Sequence, residues 1–125
     1  MIFGIGTDIV AVSRMEIIFR RHGDRALEKF LALDERADCR QSPDTARFLA
    51  KRFAAKEALG KALGTGIRGQ LTLPSISVRH DALGKPYFQL DAAAQNLLNS
   101  RNLAAHLSIS DERDYALAFV ILETI

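Results

Sequence analysis

Two carboxylates and a lysine stand out among the residues whose types and spacing could do chemistry. Asp8 comes near the end of an apolar stretch, Ile2 to Val10. A carboxylate there is costly to bury without a partner. From position alone the plainer reading is that Asp8 begins a turn and caps the next helix. Phe53, Glu57 and Lys61 follow at intervals of four within Arg52-Phe53-Ala54-Ala55-Lys56-Glu57-Ala58-Leu59-Gly60-Lys61, so they form one row on a helix. Glu before Lys at that spacing favours a helix by about 0.2–0.5 kcal/mol. Such a pair is ordinarily a solvated salt bridge, but the apolar neighbours of this row argue for partial burial. His106 and Ser108 share one face of a strand. Neither a nucleophile elbow nor a third triad member accompanies them.

Other groups suit anions. Gly64-Thr65-Gly66-Ile67-Arg68-Gly69 could bring backbone N–H groups to a phosphate. It follows a helix and lacks P-loop spacing, and a helix end explains Gly64 equally well. Arg14, Ile17 and Arg21 share a face of the first helix, with Arg20 and Arg25 nearby, which suits docking of an acidic partner. Arg47, Lys51 and Arg52 make a second basic cluster, suited to phosphate or carboxylate.

The elements that must position these groups follow from periodicity. Ile2 to Val10 alternates as a strand, with Phe3, Ile5, Thr7 and Ile9 on one face and Ile2, Gly4, Gly6, Asp8 and Val10 on the other. Gly4 and Gly6 weaken a strand but clear space for close approach. Val12 to His22 has helical spacing and ends at Gly23. Asp24 and Asp34 are positioned to cap short helices running to Leu31 and Arg40. Ser42-Pro43-Asp44 opens a long helix to Leu63. Leu71 to His80 reads as a strand, with Pro74 marking an edge or bulge. Ala82 to Lys85 turns into a partner strand, Pro86 to Leu90. Asp91 caps a helix to about Asn102. Leu103 to Ser110 alternates, and Tyr115 to Leu122 is apolar on both faces, as a central strand is. The order implies an α+β fold with antiparallel hairpins at 71–90 and 103–122.

The chain has 125 residues, enough for one domain spanning 1–125 with a sizeable core. Its net charge of +2 argues against a dedicated nucleic-acid binder. The lone Cys39 excludes an intrachain disulfide and a cysteine metal cage. Its start resembles neither a signal peptide nor a membrane span, so a reducing cytoplasm is expected and no membrane contact.

Taken together, the segments resemble the small bacterial 4′-phosphopantetheinyl transferases, the holo-[acyl-carrier-protein] synthases. The resemblance rests on Gly4-Ile5-Gly6-Thr7-Asp8-Ile9-Val10 with Arg14. It rests also on Arg52 to Ala58 with Lys61-Ala62-Leu63-Gly64-Thr65-Gly66, on Gly84-Lys85-Pro86 and on His106-Leu107-Ser108-Ile109-Ser110. It covers essentially the whole chain. Many members carry a second histidine after the serine of the last motif, where this chain has Asp111-Glu112-Arg113.

The resemblance implies transfer of the 4′-phosphopantetheine arm of coenzyme A to a serine of apo acyl carrier protein, releasing adenosine 3′,5′-bisphosphate and serving fatty acid biosynthesis. It implies magnesium on Asp8 and Glu57, with Glu57 and Lys61 as catalytic residues. Coenzyme A is expected near Arg52, Lys61, Gly64, Lys85, Pro86, His106 and Ser108. The acidic carrier protein would dock near Arg14, Arg21 and Arg25, and the sites would lie between subunits of a homotrimer. Two other readings are a small nucleic-acid binder, which leaves Asp8 and Glu57 without a task, and a structural oligomer whose charged rows are interface salt bridges.

Overall fold

A computed structural model describes all 125 residues. The order is β1 (Ile2–Ala11), α1 (Val12–His22), α2 (Asp24–Phe30), α3 (Leu33–Gln41), α4 (Thr45–Leu63), a 3₁₀ turn (Leu73–Ser75), β2 (Ile76–His80), β3 (Pro86–Leu90), α5 (Ala92–Ser100), β4 (Leu103–Asp111) and β5 (Tyr115–Thr124). The fold is α+β. An antiparallel sheet runs β1-β5-β4, and β2-β3 is a separate antiparallel hairpin. Both expected hairpins are present, and the doubly apolar β5 is central.

Helix α4 is the spine of the molecule. Asp44 caps it by accepting the Arg47 backbone N–H at 3.1 Å, and Gly64 ends it in the left-handed region at φ 84°. Its buried face is largely alanine, Ala50, Ala54, Ala58 and Ala62 among them, so it sits low on the sheet. Gly4 and Gly6 complete that approach: a Cβ on either would collide with the carbonyl oxygen of Ala62 or Ala58. The space these glycines clear is filled by α4 itself.

Strand register sorts the sheet into two faces. Gly4, Gly6, Asp8 and Val10 pair with Leu122, Val120, Ala118 and Ala116 and face α4, where the core lies. Ile5, Thr7 and Ile9 pair with Ile121, Phe119 and Leu117, which pair in turn with His106, Ser108 and Ser110 on the opposite face. That outer face is apolar and open: Ile5 and Ile9 are each 60% exposed.

Local chemistry departs from expectation at four places. The strand from Leu71 begins only at Ile76. Proline cannot donate to a ladder, and Thr72 Oγ1 accepts the Ser75 N–H, closing the 3₁₀ turn instead. Asp24 lies inside α2 behind Gly23 and makes no cap. At α3 the chain enters through Ala32, and Glu35, not Asp34, reaches back to accept the Ala32 N–H at 2.9 Å. Asp34 instead accepts from Ser77 Oγ at 3.0 Å. Asp8 caps nothing, because the N-cap position of α1 is Ala11, which makes no side-chain bond. Cys39 is buried, and burial pushes its thiol up to about 11, which leaves it a poor nucleophile at neutral pH.

Candidate active site

The row Phe53, Glu57, Lys61 faces β1 and α1. Lys61 Nζ lies 3.1 Å from Asp8 Oδ1 and donates to the Thr7 carbonyl at 2.9 Å. The expected Glu57–Lys61 ion pair does not form, because the lysine reaches across to the strand. Helix and strand therefore bring three charged groups together. Burial raises the Glu57 carboxyl above its usual range, and the Asp8 carboxylate adds to the effect; Lys61 and Arg14 oppose it. Two carboxylates brought together from a strand and a helix are a donor set suited to a cation. No cluster of three such ligands exists in the chain. Magnesium binds with one or two protein carboxylates and completes its shell with water and phosphate oxygens, so the pair fits that ion. Arg14 stands beside this group, its guanidinium 5.4 Å from the Phe53 ring centroid.

The row Arg52, Lys56, Gly60 turns the other way. Lys56 is fully buried and donates to Phe30 O at 2.7 Å, Leu73 O at 3.0 Å and Glu35 Oε1 at 2.6 Å. Burial lowers its ammonium to about 8 despite the Glu35 carboxylate. Arg52 lies over the Phe48 ring at 4.2 Å, with Nε 3.1 Å from Glu35 Oε2. Its Nε–H is not directed at that oxygen, so the contact is an ion pair without a formed hydrogen bond. Sequence reasoning missed Glu35 and Lys56. One signal was present: like charges at Arg52 and Lys56, four apart, repel on a helix unless an acid intervenes.

The second basic cluster is only partly free. Arg47 is spent on structure, binding Asp44, Asp111 and the carbonyls of Glu112 and Arg113. Lys51 lies 3.6 Å from Asp111. With Arg52 they line a recess of about 210 Å³ bounded by Ser42, Pro43, Asp44 and Phe48. Gly64 lines a different cavity of about 520 Å³, beyond the end of α4, with Arg68 and Arg101 on its walls. Lys85 is exposed in the β2–β3 turn, and Pro86 begins β3. His106 lies on the outer face, its Nε2 3.1 Å from Glu123, and Ser108 is exposed on the same face.

One chain thus brings Asp8, Glu57 and Lys61 together but does not bring His106 and Ser108 to them. These sit two strands away on the opposite side of the sheet. Arg21 and Arg25 are exposed on α1 and α2, beyond Arg14.

An acid on a strand, an acid on a helix and a lysine reaching from that helix to the strand are the groups a phosphate-handling transferase uses. The chain belongs to the 4′-phosphopantetheinyl transferase superfamily, which it matches over residues 4–120. It is 58% identical over 123 residues to a holo-[acyl-carrier-protein] synthase of Dechloromonas aromatica (strain RCB), covering 98% of each chain. Its structure is similar to the crystal structure of holo-[acyl-carrier-protein] synthase from Neisseria meningitidis, with a TM-score of 0.95 and 44% identity over 98% of this chain and 99% of that one. It is similar also to a holo-(acyl-carrier-protein) synthase from Bacillus anthracis in complex with CoA (3′,5′-ADP), with a TM-score of 0.83 and 36% identity over 100% and 99%. The chain is an enzyme of this holo-[acyl-carrier-protein] synthase type. No helix in it is long and apolar enough to cross a membrane.

Proposed function

We propose that the chain moves the 4′-phosphopantetheine arm of coenzyme A onto the serine hydroxyl of apo acyl carrier protein. Adenosine 3′,5′-bisphosphate leaves, and the product serves fatty acid biosynthesis in the cytoplasm. The observation that carries this reading is the convergence of Glu57 and Lys61 of α4 on Asp8 of β1. Asp8 and Glu57 would hold magnesium, which supplies charge neutralisation on the donor's diphosphate. Lys61 is exposed enough to release Asp8 and take a phosphate oxygen, stabilising the charge of the leaving bisphosphate. Glu57, directly or through a water on the metal, is the proton acceptor for the attacking hydroxyl.

Arg52, Gly64, Lys85, Pro86, His106 and Ser108 are assigned to coenzyme A, with Arg52 offered to a phosphate in its recess. Support for a homotrimer comes from the sheet. Its outer face exposes Ile5, Ile9 and Leu117, an apolar surface of the kind that marks an interface. His106 and Ser108 lie on that face, so a neighbouring copy would carry them to the acid pair of the first. The assembled site then holds residues that one chain keeps apart.

Intact mass spectrometry of an apo acyl carrier protein, incubated with the chain, coenzyme A and magnesium, tests the reaction. The expected result is a gain of one phosphopantetheine, lost when a chelator is added. A gain that persists in chelator overturns the metal assignment. A native mass spectrum of the same enzyme is expected to show a trimer; a monomer overturns the shared site.

Arg14, Arg21 and Arg25 are the proposed docking surface for the acidic carrier. Arg14→Glu is expected to raise the carrier-protein KM by about tenfold or more while leaving the coenzyme A KM near wild type, because a reversed charge repels the partner. The carrier effect should weaken in high salt. Equal changes in both KM values would reject a docking role.

A further inference from the structure

Glu35 belongs to no part of the acid pair, yet it is a carboxylate with no exposed surface. Its Oε1 accepts the Ala32 N–H at 2.9 Å and Lys56 Nζ at 2.6 Å. Its Oε2 accepts the Val78 N–H of β2 at 2.9 Å and lies 3.1 Å from Arg52 Nε. One carboxylate therefore serves two cations, while the Asp38 carboxylate also favours the charged Arg52. Lys56 is sealed inside and its three protons are matched by three acceptors. The second carboxylate oxygen faces Arg52, which lines the recess under α4's first turns.

We infer that Glu35, anchored by Lys56, is a positioning residue that aims the Arg52 guanidinium at a phosphate of the donor. This rests on the assignment of Arg52 to coenzyme A. Phe48 fixes the plane of the guanidinium from one side, and the Glu35 carboxylate holds its Nε edge by charge at 3.1 Å. The remaining N–H groups are left for a ligand that accepts from a fork, as phosphate oxygens do. The backbone bonds of Glu35 to Ala32 and Val78 hold its carboxylate, so the fork is set before the ligand arrives.

The test compares Glu35→Gln, Arg52→Ala and the double variant, with steady-state kinetics for both substrates and a thermal melt to establish folding. Glu35→Gln is expected to raise the coenzyme A KM by about tenfold, because the guanidinium loses the charged group that orients its fork toward phosphate. Its kcat and carrier-protein KM should stay within about threefold of wild type, because Asp8, Glu57 and Lys61 are untouched. The double variant should be no worse for coenzyme A than Arg52→Ala alone, since Glu35 acts through that arginine. An unchanged coenzyme A KM in Glu35→Gln, or effects that multiply in the double variant, overturns the inference. If Arg52→Ala itself leaves the coenzyme A KM unchanged, the assignment of Arg52 to coenzyme A fails, and the inference fails with it. If Glu35→Gln does not fold, Arg52→Lys decides. It keeps the charge but lacks the Nε that Glu35 faces, so it should behave like Arg52→Ala; a wild-type KM overturns the inference.

Discussion

Glu57→Ala and Asp8→Ala are each expected to lower kcat/KM by about a thousandfold or more, since each removes half of the protein's hold on the proposed cation and several kcal/mol of transition-state stabilisation. The fold should survive both. Lys61, the partner of Asp8, is more than half exposed and returns to solvent at little cost. Glu57 carries a sharper signature. Its folded-state carboxyl is raised, by burial and by Asp8, above its ordinary value. The stability this group contributes is therefore present when it is protonated and is lost as pH rises through the folded-state value. At neutral pH the ionised Glu57 destabilises the cation-free fold.

Thermal melts in chelator should accordingly place Glu57→Gln at or above wild type at neutral pH. The two proteins should converge in acid. Magnesium should raise the wild-type Tm and leave the Glu57→Gln Tm unmoved. A variant that melts well below wild type in chelator, or that still gains Tm with magnesium, would remove Glu57 from the cation site. Stability sacrificed at a cluster of like charges is the pattern of a site kept for function.

Gly6→Ala carries the largest expected effect on stability. Its new Cβ would meet the Ala58 carbonyl oxygen and lie 2.7 Å from the Ala62 backbone nitrogen. Both are helix backbone and have no rotamer to yield. Overpacking commonly costs about 1–3 kcal/mol, and a rigid obstacle places this case at about 3 kcal/mol or more. At about 4 °C per kcal/mol, between the values for smaller and larger domains, the Tm should fall by about 10 °C or more. The helix must also lift from β1, carrying Glu57 and Lys61 away from Asp8. Magnesium should therefore give a smaller rise in Tm than it gives wild type. A Tm within about 2 °C of wild type would show that the contact is softer than its geometry. Gly4→Ala meets the Ala62 carbonyl in the same way and should behave alike.

These two results concern one piece of design, and the sequence alone already showed much of it. Helix α4 was legible from Asp44 to Gly64 because its cap and its stop are local chemistry, a side chain three residues from its N–H and a glycine at positive φ. The row of Phe53, Glu57 and Lys61 was legible because helical spacing alone places them together. The alternation in β1 separated Asp8 and the two glycines from Ile5 and Ile9 before any strand was paired, and β5 declared itself central by being apolar on both sides. The motifs in their order carried the family, which the fold and the relatives bear out.

Whatever depended on contacts between distant segments was not legible. Alternation says that Gly6 leaves a gap but not that Ala58 fills it. The pairing of Lys61 with Asp8 rather than Glu57 needed the helix to be laid against β1. Glu35 offered no local sign of burial in the stretch Asp34-Glu35-Arg36, because Lys56 and Arg52 reach it from α4 and the Val78 N–H from β2. Register decided the last matter. Asp8 pairs with Ala118 and Ser108 with Phe119, one residue apart on β5, and in a strand one residue is the difference between the two faces. Periodicity within a segment is fixed by the chain's own backbone geometry, and the sequence determines it alone. Which face meets which partner is fixed by the packing of elements far apart in the chain, and only the tertiary structure decides it.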